Sequence, residues 1–198
     1  MAITSGILGT GVNFEDRLVP SLEAMAERVA NLKGLGQRIV LTSGSFDLIH
    51  LGHVKYLAKA KEMGDVLVVG VDSDHKIRQR KGEDRPLVPE QERLEMLAHQ
   101  RPVDLIFLKD EEKERWALIK AVEPDVLVLT EDHSYSDEEQ AQLSELCGSV
   151  AVLERQASVT TSERIRQLYM HLGERLGPKL AEVLPELIDS MLRRSSGR

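Results

Sequence analysis

Apolar positions along the chain fall into two alternating patterns. Short runs rich in β-branched residues, IVLT (39–42), VLVVGV (66–71), VDLIFL (103–108), DVLVL (125–129) and SVAVL (149–153), predict five buried strands. Between them lie stretches with apolar residues at helical spacing, over 51–63, 89–99, 111–122 and 137–147. Gly64 and Gly148 close the first and last of these, and Ser136-x-x-Glu139 is a capping box for the last. Ahead of the first strand, Leu22, Met25, Val29 and Leu32 predict a helix that starts after Ser21 and stops at Gly34 and Gly36. Strands alternating with helices argue for a parallel sheet with crossover helices, which binds ligands beyond the carboxyl ends of its strands.

The ends depart from this pattern. Residues 1–19 are glycine-rich and aperiodic and read as an arm. After Leu153, VTTSERIRQLYMHLG predicts a capped helix closed by Gly173. Pro178 then opens a segment with Leu180, Val183, Leu184, Leu187, Ile188, Met191 and Leu192 on one face, which Pro185 should kink or split. That stripe fits a helix packed on the domain or on a second copy of the chain. The expected organisation is an arm over 1–19, one domain over 20–172, and an amphipathic extension over 173–198.

Composition narrows the function. With 26 Lys and Arg against 33 Asp and Glu, the net charge is −7, which argues against a long nucleic-acid partner held through its phosphates. The one cysteine, Cys147, can form no internal disulfide and supplies no cysteine-rich zinc site. No run approaches the roughly 20 apolar residues of a membrane span, and the N-terminus lacks a basic region ahead of an apolar one. A cytoplasmic enzyme or binding protein is expected, with no membrane partner.

The segment richest in chemistry runs from Gly44 through Ser45, Phe46, Asp47, Leu48, Ile49, His50, Leu51 and Gly52 to His53. It follows the first strand and opens a helix, where backbone N–H groups and the helix dipole hold phosphate. Gly44 allows a sharp turn, and Gly52 allows a ligand to approach the backbone. His50 and His53, three apart, project to one side as paired donors for a phosphoryl group. A zinc site is the competing reading, and no further ligand has the spacing for it. A second segment, Lys76 to Pro86, places five basic and two acidic residues in eleven positions of an acidic chain. By composition it suits a flexible polyphosphate-binding loop or a solvated surface equally. A third, Val159 to Ile165, offers Thr160, Thr161 and Ser162 at a helix start. No Walker motif is present, and Gly9-Thr10-Gly11 lacks the strand and third glycine of a dinucleotide fingerprint.

SGSFDLIHLGHVKYL resembles the HxGH signature of the cytidylyltransferase-like nucleotidyltransferases. VDSDHKIRQRKGEDRPLVPEQERLEML resembles the matching stretch of the heptose-phosphate adenylyltransferases within that superfamily, and TTSER resembles its I-S-T-S-x-I-I segment. The resemblance covers about residues 23–168. It implies a Rossmann-like three-layer α/β/α domain with a five-stranded parallel sheet, an N-terminal helix and a C-terminal helical extension. It also implies transfer of a nucleoside monophosphate, from ATP in preference, to a sugar phosphate, with release of pyrophosphate and Mg²⁺ as cofactor. By the same resemblance His50, His53 and Lys81 are catalytic. Gly44, Ser45, Phe46, Gly52, Arg93, Thr160, Thr161 and Ser162 bind nucleotide and phosphate, while Arg85 orders the loop. Asp47 would position the acceptor or metal, and Asp132 would match the family's Asp in K-G-x-D-Y. The departures are Ser43 where an Asn is usual, and Leu129-Thr130-Glu131 where that pattern's Lys and glycines would stand. They bear on the acceptor rather than the reaction. The alternatives are a cytidylyltransferase acting on glycerol 3-phosphate or a related alcohol phosphate, and a nucleotide-binding regulator without turnover. A homodimer through the C-terminal helix is expected.

Overall fold

The computed structural model describes residues 14–110, 114–131, 135–154, 156 and 161–195, with side chains in the last stretch described for 165–185. Five strands form one sheet: β1 (Ile39–Gly44), β2 (Val66–Asp72), β3 (Leu105–Lys109), β4 (Val126–Thr130) and β5 (Val150–Leu153). Their order is β3-β2-β1-β4-β5 and every pairing is parallel. All five strands expected from the apolar runs are present.

Period-2 alternation sorts the strand residues into two layers. Ile39, Leu41, Val66 and Val68 pack with Met25, Leu118, Ile119 and Leu143, from helices α2 (Leu22–Gly34), α6 (Ala117–Val122) and α7 (Asp137–Glu145). Val40, Leu67 and Val69 pack on the other face with Tyr56, Leu57, Leu94 and Leu97, from α3 (Leu51–Lys61) and α5 (Glu90–Ala98). A further helix, α4 (Asp74–Lys81), follows β2. The result is the three-layer α/β/α architecture, and the winding reverses between β1 and β4. That reversal opens a crevice at the carboxyl ends of the central strands.

Three aspartates secure the opposite edge of the sheet. The carboxylates of Asp65, Asp104 and Asp125 accept from the backbone N–H of Arg38, Leu67 and Ile39 at 2.8, 2.7 and 2.7 Å. Each stands just before one strand and satisfies an N–H at or beside the start of a neighbouring strand.

The structure departs from the sequence expectations in four places. Residues 14–19 are not an irregular arm: α1 (Phe14–Arg17) leads into Leu18, which bridges to Ile106, and Val19 is buried. The expectation for 1–13 lies outside the described residues. The basic stretch expected as a flexible loop is helical up to Lys81, because Ser73 accepts from the Lys76 N–H as an N-cap. The helix expected over 111–122 is described only for Ala117–Val122. Finally, α8 (Thr161–Ser195) runs unbroken past Gly173 and contains Pro178 and Pro185. The two prolines are seven apart, so both lie on one face of the helix and the missing N–H donors leave the other faces intact.

By internal contacts the chain separates into two compact units, Met1–Ser158 and Val159–Arg198, and α8 belongs to the second. No helix among the described residues is long and apolar enough to cross a membrane.

Candidate active site

The site is built on the turn between β1 and α3. Gly44 ends the strand where a Cβ would sit 3.2 Å from the Phe46 ring, so the turn closes only around a glycine or after the ring gives way. Phe46 and Leu48 then adopt left-handed backbone, with φ of 50° and 54°. Each such residue costs on the order of 1–3 kcal/mol unless its surroundings hold it there.

Two buried side chains do the holding. Asp47 accepts from the backbone N–H groups of Leu87 and Val88, both at 3.0 Å, and from Arg85 Nη1 at 2.6 Å. Arg93 is only 1% exposed; its Nε donates to Val88 O, Nη1 to Ser45 O and Nη2 to Asp74 Oδ1. These bonds tie the β1 turn to the segment after α4. Asp47 and Arg93 thus both contribute bonds that order the turn and the segment after α4. Arg85 orders the loop, as the resemblance implied.

The histidines fasten one another. His50 is the N-cap of α3: its Nδ1 accepts from the Gly52 N–H at 3.0 Å, and His53 Nδ1 accepts from the His50 N–H at 3.3 Å. An Nδ1 that accepts carries no proton, so in each neutral ring the proton is on Nε2. The rings lie 4.2 Å apart between centroids, and Phe46 packs 5.7 Å from His53. Burial, followed by repulsion from His50 and Lys81, lowers the His53 pKa to about 4. His53 is thus a neutral Nε2–H donor across the physiological range. The helix behind is fixed by a buried hydroxyl pair: Thr42 Oγ1 and Tyr56 Oη are 2.6 Å apart and both reach Val128 O.

Cations gather beside the turn. Arg80 donates to Ser45 Oγ and to Asp72 Oδ2, both at 2.9 Å, and Lys109 Nζ stands 3.5 Å from Asp72 Oδ1. Burial pushes the Asp72 carboxyl up, but Lys109 and Arg80 outweigh it and hold the pKa below the ordinary range. Lys81 is an exposed residue whose ammonium is nonetheless shifted down, by desolvation first and then by Arg80 and Arg85. A cavity of about 470 Å³ opens here, at the carboxyl ends of β1 to β4, and reaches from Gly44, Ser45 and Lys81 to Trp116 and Tyr135.

The structure thus brings together Gly44, Ser45, Phe46, Asp47, Gly52, His50, His53, Lys81 and Arg93. Thr161 and Ser162 open α8 in the second unit. Thr160 and Asp132 lie outside the described residues. Sequence reasoning missed Asp72, Arg80, Lys109 and Trp116. The signal for Asp72 and Lys109 was their place at or just beyond a strand's carboxyl end, where such sheets bind ligands. Among the described residues, no three His, Cys, Asp or Glu side chains gather where they could hold a metal ion.

A parallel sheet of this winding, with two imidazoles at its first strand-to-helix turn, is the Rossmann-like fold of the nucleotidyltransferase class. Residues 41–175 match the cytidylyltransferase-like family, and the chain belongs to it. Its relatives include the bifunctional protein HldE of a Nitratiruptor species, 41% identical over 66% of this chain and 28% of that protein. The bifunctional protein HldE of Geobacter sulfurreducens is 37% identical over 83% of this chain and 34% of its own length. The chain therefore spans about a third or less of the length of these relatives. Among solved structures, the lipopolysaccharide core biosynthesis protein of Thermoplasma volcanium is 30% identical, with a TM-score of 0.52 over 61% of this chain and 97% of that one. Pantoate-beta-alanine ligase from Francisella tularensis shares the fold at 16% identity and a TM-score of 0.50, covering 74% of this chain and 69% of that one.

Proposed function

We propose that this chain transfers a nucleoside monophosphate from a nucleoside triphosphate, ATP in preference, to a sugar phosphate. An oxygen of the acceptor phosphate bonds to the α-phosphorus as the bond to the bridging oxygen breaks, and pyrophosphate departs with that electron pair. A phosphomonoester whose second pKa lies near 6 is already largely a dianion at neutral pH, so the step needs no general base. It needs alignment of the reacting groups and charge neutralisation, which is what this turn can supply.

The observation that carries the reading is the mutual cap of His50 and His53. It leaves Nδ1 of each ring as an acceptor and so presents Nε2–H of both as donors for the charge that grows on the α-phosphoryl oxygens. Lys81, whose ammonium bears on His53, would neutralise the β- and γ-phosphates. By the resemblance Thr160, Thr161 and Ser162 are phosphate-binding residues as well, and Gly44, Ser45, Phe46 and Gly52 would shape the backbone of the turn around the nucleotide. Asp132 would meet the acceptor. Mg²⁺ would enter as the metal–nucleotide complex, held by phosphates and water, because Asp47 and Asp72 are each paired with cations. The sugar-phosphate preference is supported by the resemblance of KGEDRP and its surroundings to heptose-phosphate adenylyltransferases.

Mixing the protein with MgATP and a pool of sugar and alcohol phosphates should release pyrophosphate. His50→Ala should abolish that release while the circular dichroism spectrum is retained; unchanged turnover would sink the mechanism. Calorimetry with MgATP and MgCTP on one batch should favour MgATP, and a preference for MgCTP would move the acceptor to alcohol phosphates.

A further inference from the structure

The final helix, α8, carries an apolar seam with a period of its own. Ile165, Tyr169, Leu172, Leu176, Leu180 and Val183 follow one another at steps of four, three, four, four and three residues, and in the sequence Leu187 and Met191 continue the series. That is an eleven-residue repeat over three turns, so the seam stays in line along a helix of 35 residues with only a slight right-handed coil. From Tyr169 to Val183 the seam residues are 45% to 70% exposed, so nothing within the chain covers them. Both prolines stand on the far side. At about 100° per residue, Pro178 and Pro185 lie roughly 160–180° around the helix from Leu176. A proline ring presses on the carbonyl four residues back and bends a helix away from its own face. The seam therefore lies on the inner side of the bend, the side on which long helices wrap what they pack against. Two prolines, with Gly173 and Gly177, also leave α8 without the propensity to stand alone, so packing along the seam is what holds it.

Charge selects what packs there. Over 164–179, Arg164, Arg166, Arg175 and Lys179 outnumber Glu174, a net of three positive. Over 182–189, Glu182, Glu186 and Asp189 make three negative. A second α8 laid antiparallel sets each basic half against an acidic half, whereas a parallel one sets like on like. We propose that α8 pairs with α8 of a second copy of the chain, antiparallel, about a two-fold axis level with residue 178. The seam agrees with the charges: its steps read the same in both directions from that point to within one residue. Leu176 then stands level with the partner's Leu180, and Leu172 within one residue of the partner's Val183. An anionic lipid surface or a nucleic acid would suit the basic half and be repelled by the acidic one. From Leu176 onward the seam lies beyond the family match, which ends at residue 175, so the pairing belongs to this chain's own extension. It uses no residue of the β1 turn and stands whether or not the chain transfers a nucleotide.

Cross-linking in the full chain reads the orientation. With Cys147→Ser in place, an introduced cysteine is the chain's one thiol. Leu172→Cys and Val183→Cys, co-expressed on separate chains and oxidised, should give a disulfide-linked dimer whose peptides join position 172 to position 183. Each variant alone should link poorly, because each position lies ten or twelve residues, about 15–18 Å, from its own counterpart, and a disulfide needs Cα atoms within about 7 Å. Efficient linking of each variant to itself would mean parallel pairing and would overturn the proposal. Glu182→Arg combined with Glu186→Arg should raise the dimer Kd at least about tenfold in sedimentation at low salt, and much less at about 1 M salt. A Kd unchanged at low salt would overturn the charge argument and the orientation with it. Thermal melts of every variant guard against a folding defect. A full chain that sediments as a monomer, or that binds anionic vesicles in place of pairing, would also end the proposal.

Discussion

His53 illustrates how one residue's surroundings set its chemistry. Its pKa is lowered from 6.5 to about 4, with burial the largest cause. The unfolded chain therefore takes up a proton at this position between about pH 6.5 and 4 that the folded chain refuses. The stabilising contribution is complete above 6.5 and is lost as the pH falls through 4. Nitrogen-detected NMR should show the His53 ring neutral at pH 5.5, protonated on Nε2, with a midpoint near 4; a midpoint near 6.5 would contradict the burial argument. Asp47 makes the complementary case. Its carboxylate and Arg85 are 6% and 18% exposed as side chains, so removing one partner strands the other. Asp47→Ala should cost about 3 kcal/mol, or roughly 6–12 °C in Tm, read by thermal denaturation. The sequence made the histidines legible because their spacing, their glycine and their place after a strand all agree. It left the burial of Asp47 and Arg93 and their bonds within the turn illegible, because a charged residue in a motif looks the same whether it meets a ligand or a backbone group. Only burial separates the two.

Among the elements, strands were read most securely. Runs such as VLVVGV are buried on both faces, with every residue of β2 enclosed, and a continuous apolar run is what that environment demands. The helices after β2 and β3 were harder. The last turns of α4 hold Arg78, Arg80 and Lys81, with Ile77 its one buried residue, so it lacks the apolar stripe by which a helix announces itself. Its cap at Ser73 was the available signal. The aspartates at the far edge of the sheet were equally silent, since Asp before a strand reads as an ordinary turn residue. Asp104 accepts from the Leu67 N–H and pairs with Lys61 at 2.5 Å. Asp104→Ala leaves the buried start of β2 with an unpaired N–H, and should destabilise the fold by about 1–3 kcal/mol in a urea titration while leaving MgATP affinity unchanged.

At the scale of the whole molecule, the sheet order follows the alternation of apolar runs and helical spacings, and the family match over residues 41–175 covers nearly the entire sheet. The long final helix was legible in its stripe but not in its continuity, because two prolines argue locally for a break and their seven-residue separation argues against one. Leu168, Tyr169, Leu172, Leu176, Leu180 and Val183 are exposed along it at helical spacing. We propose that this stripe pairs two copies of the chain. Light scattering should give a dimer for the full chain and a monomer for a chain ended after Gly173, and a monomeric full chain would end the idea.

The reciprocal cap at the start of α3 decides which substitutions can be read cleanly. Each imidazole closes one half of the cap, so neither can be exchanged without disturbing its partner's setting. Substitution by alanine removes the ring and loosens the helix end at once, whereas His50→Asn removes the ring but keeps an acceptor for the Gly52 N–H, so the two effects separate.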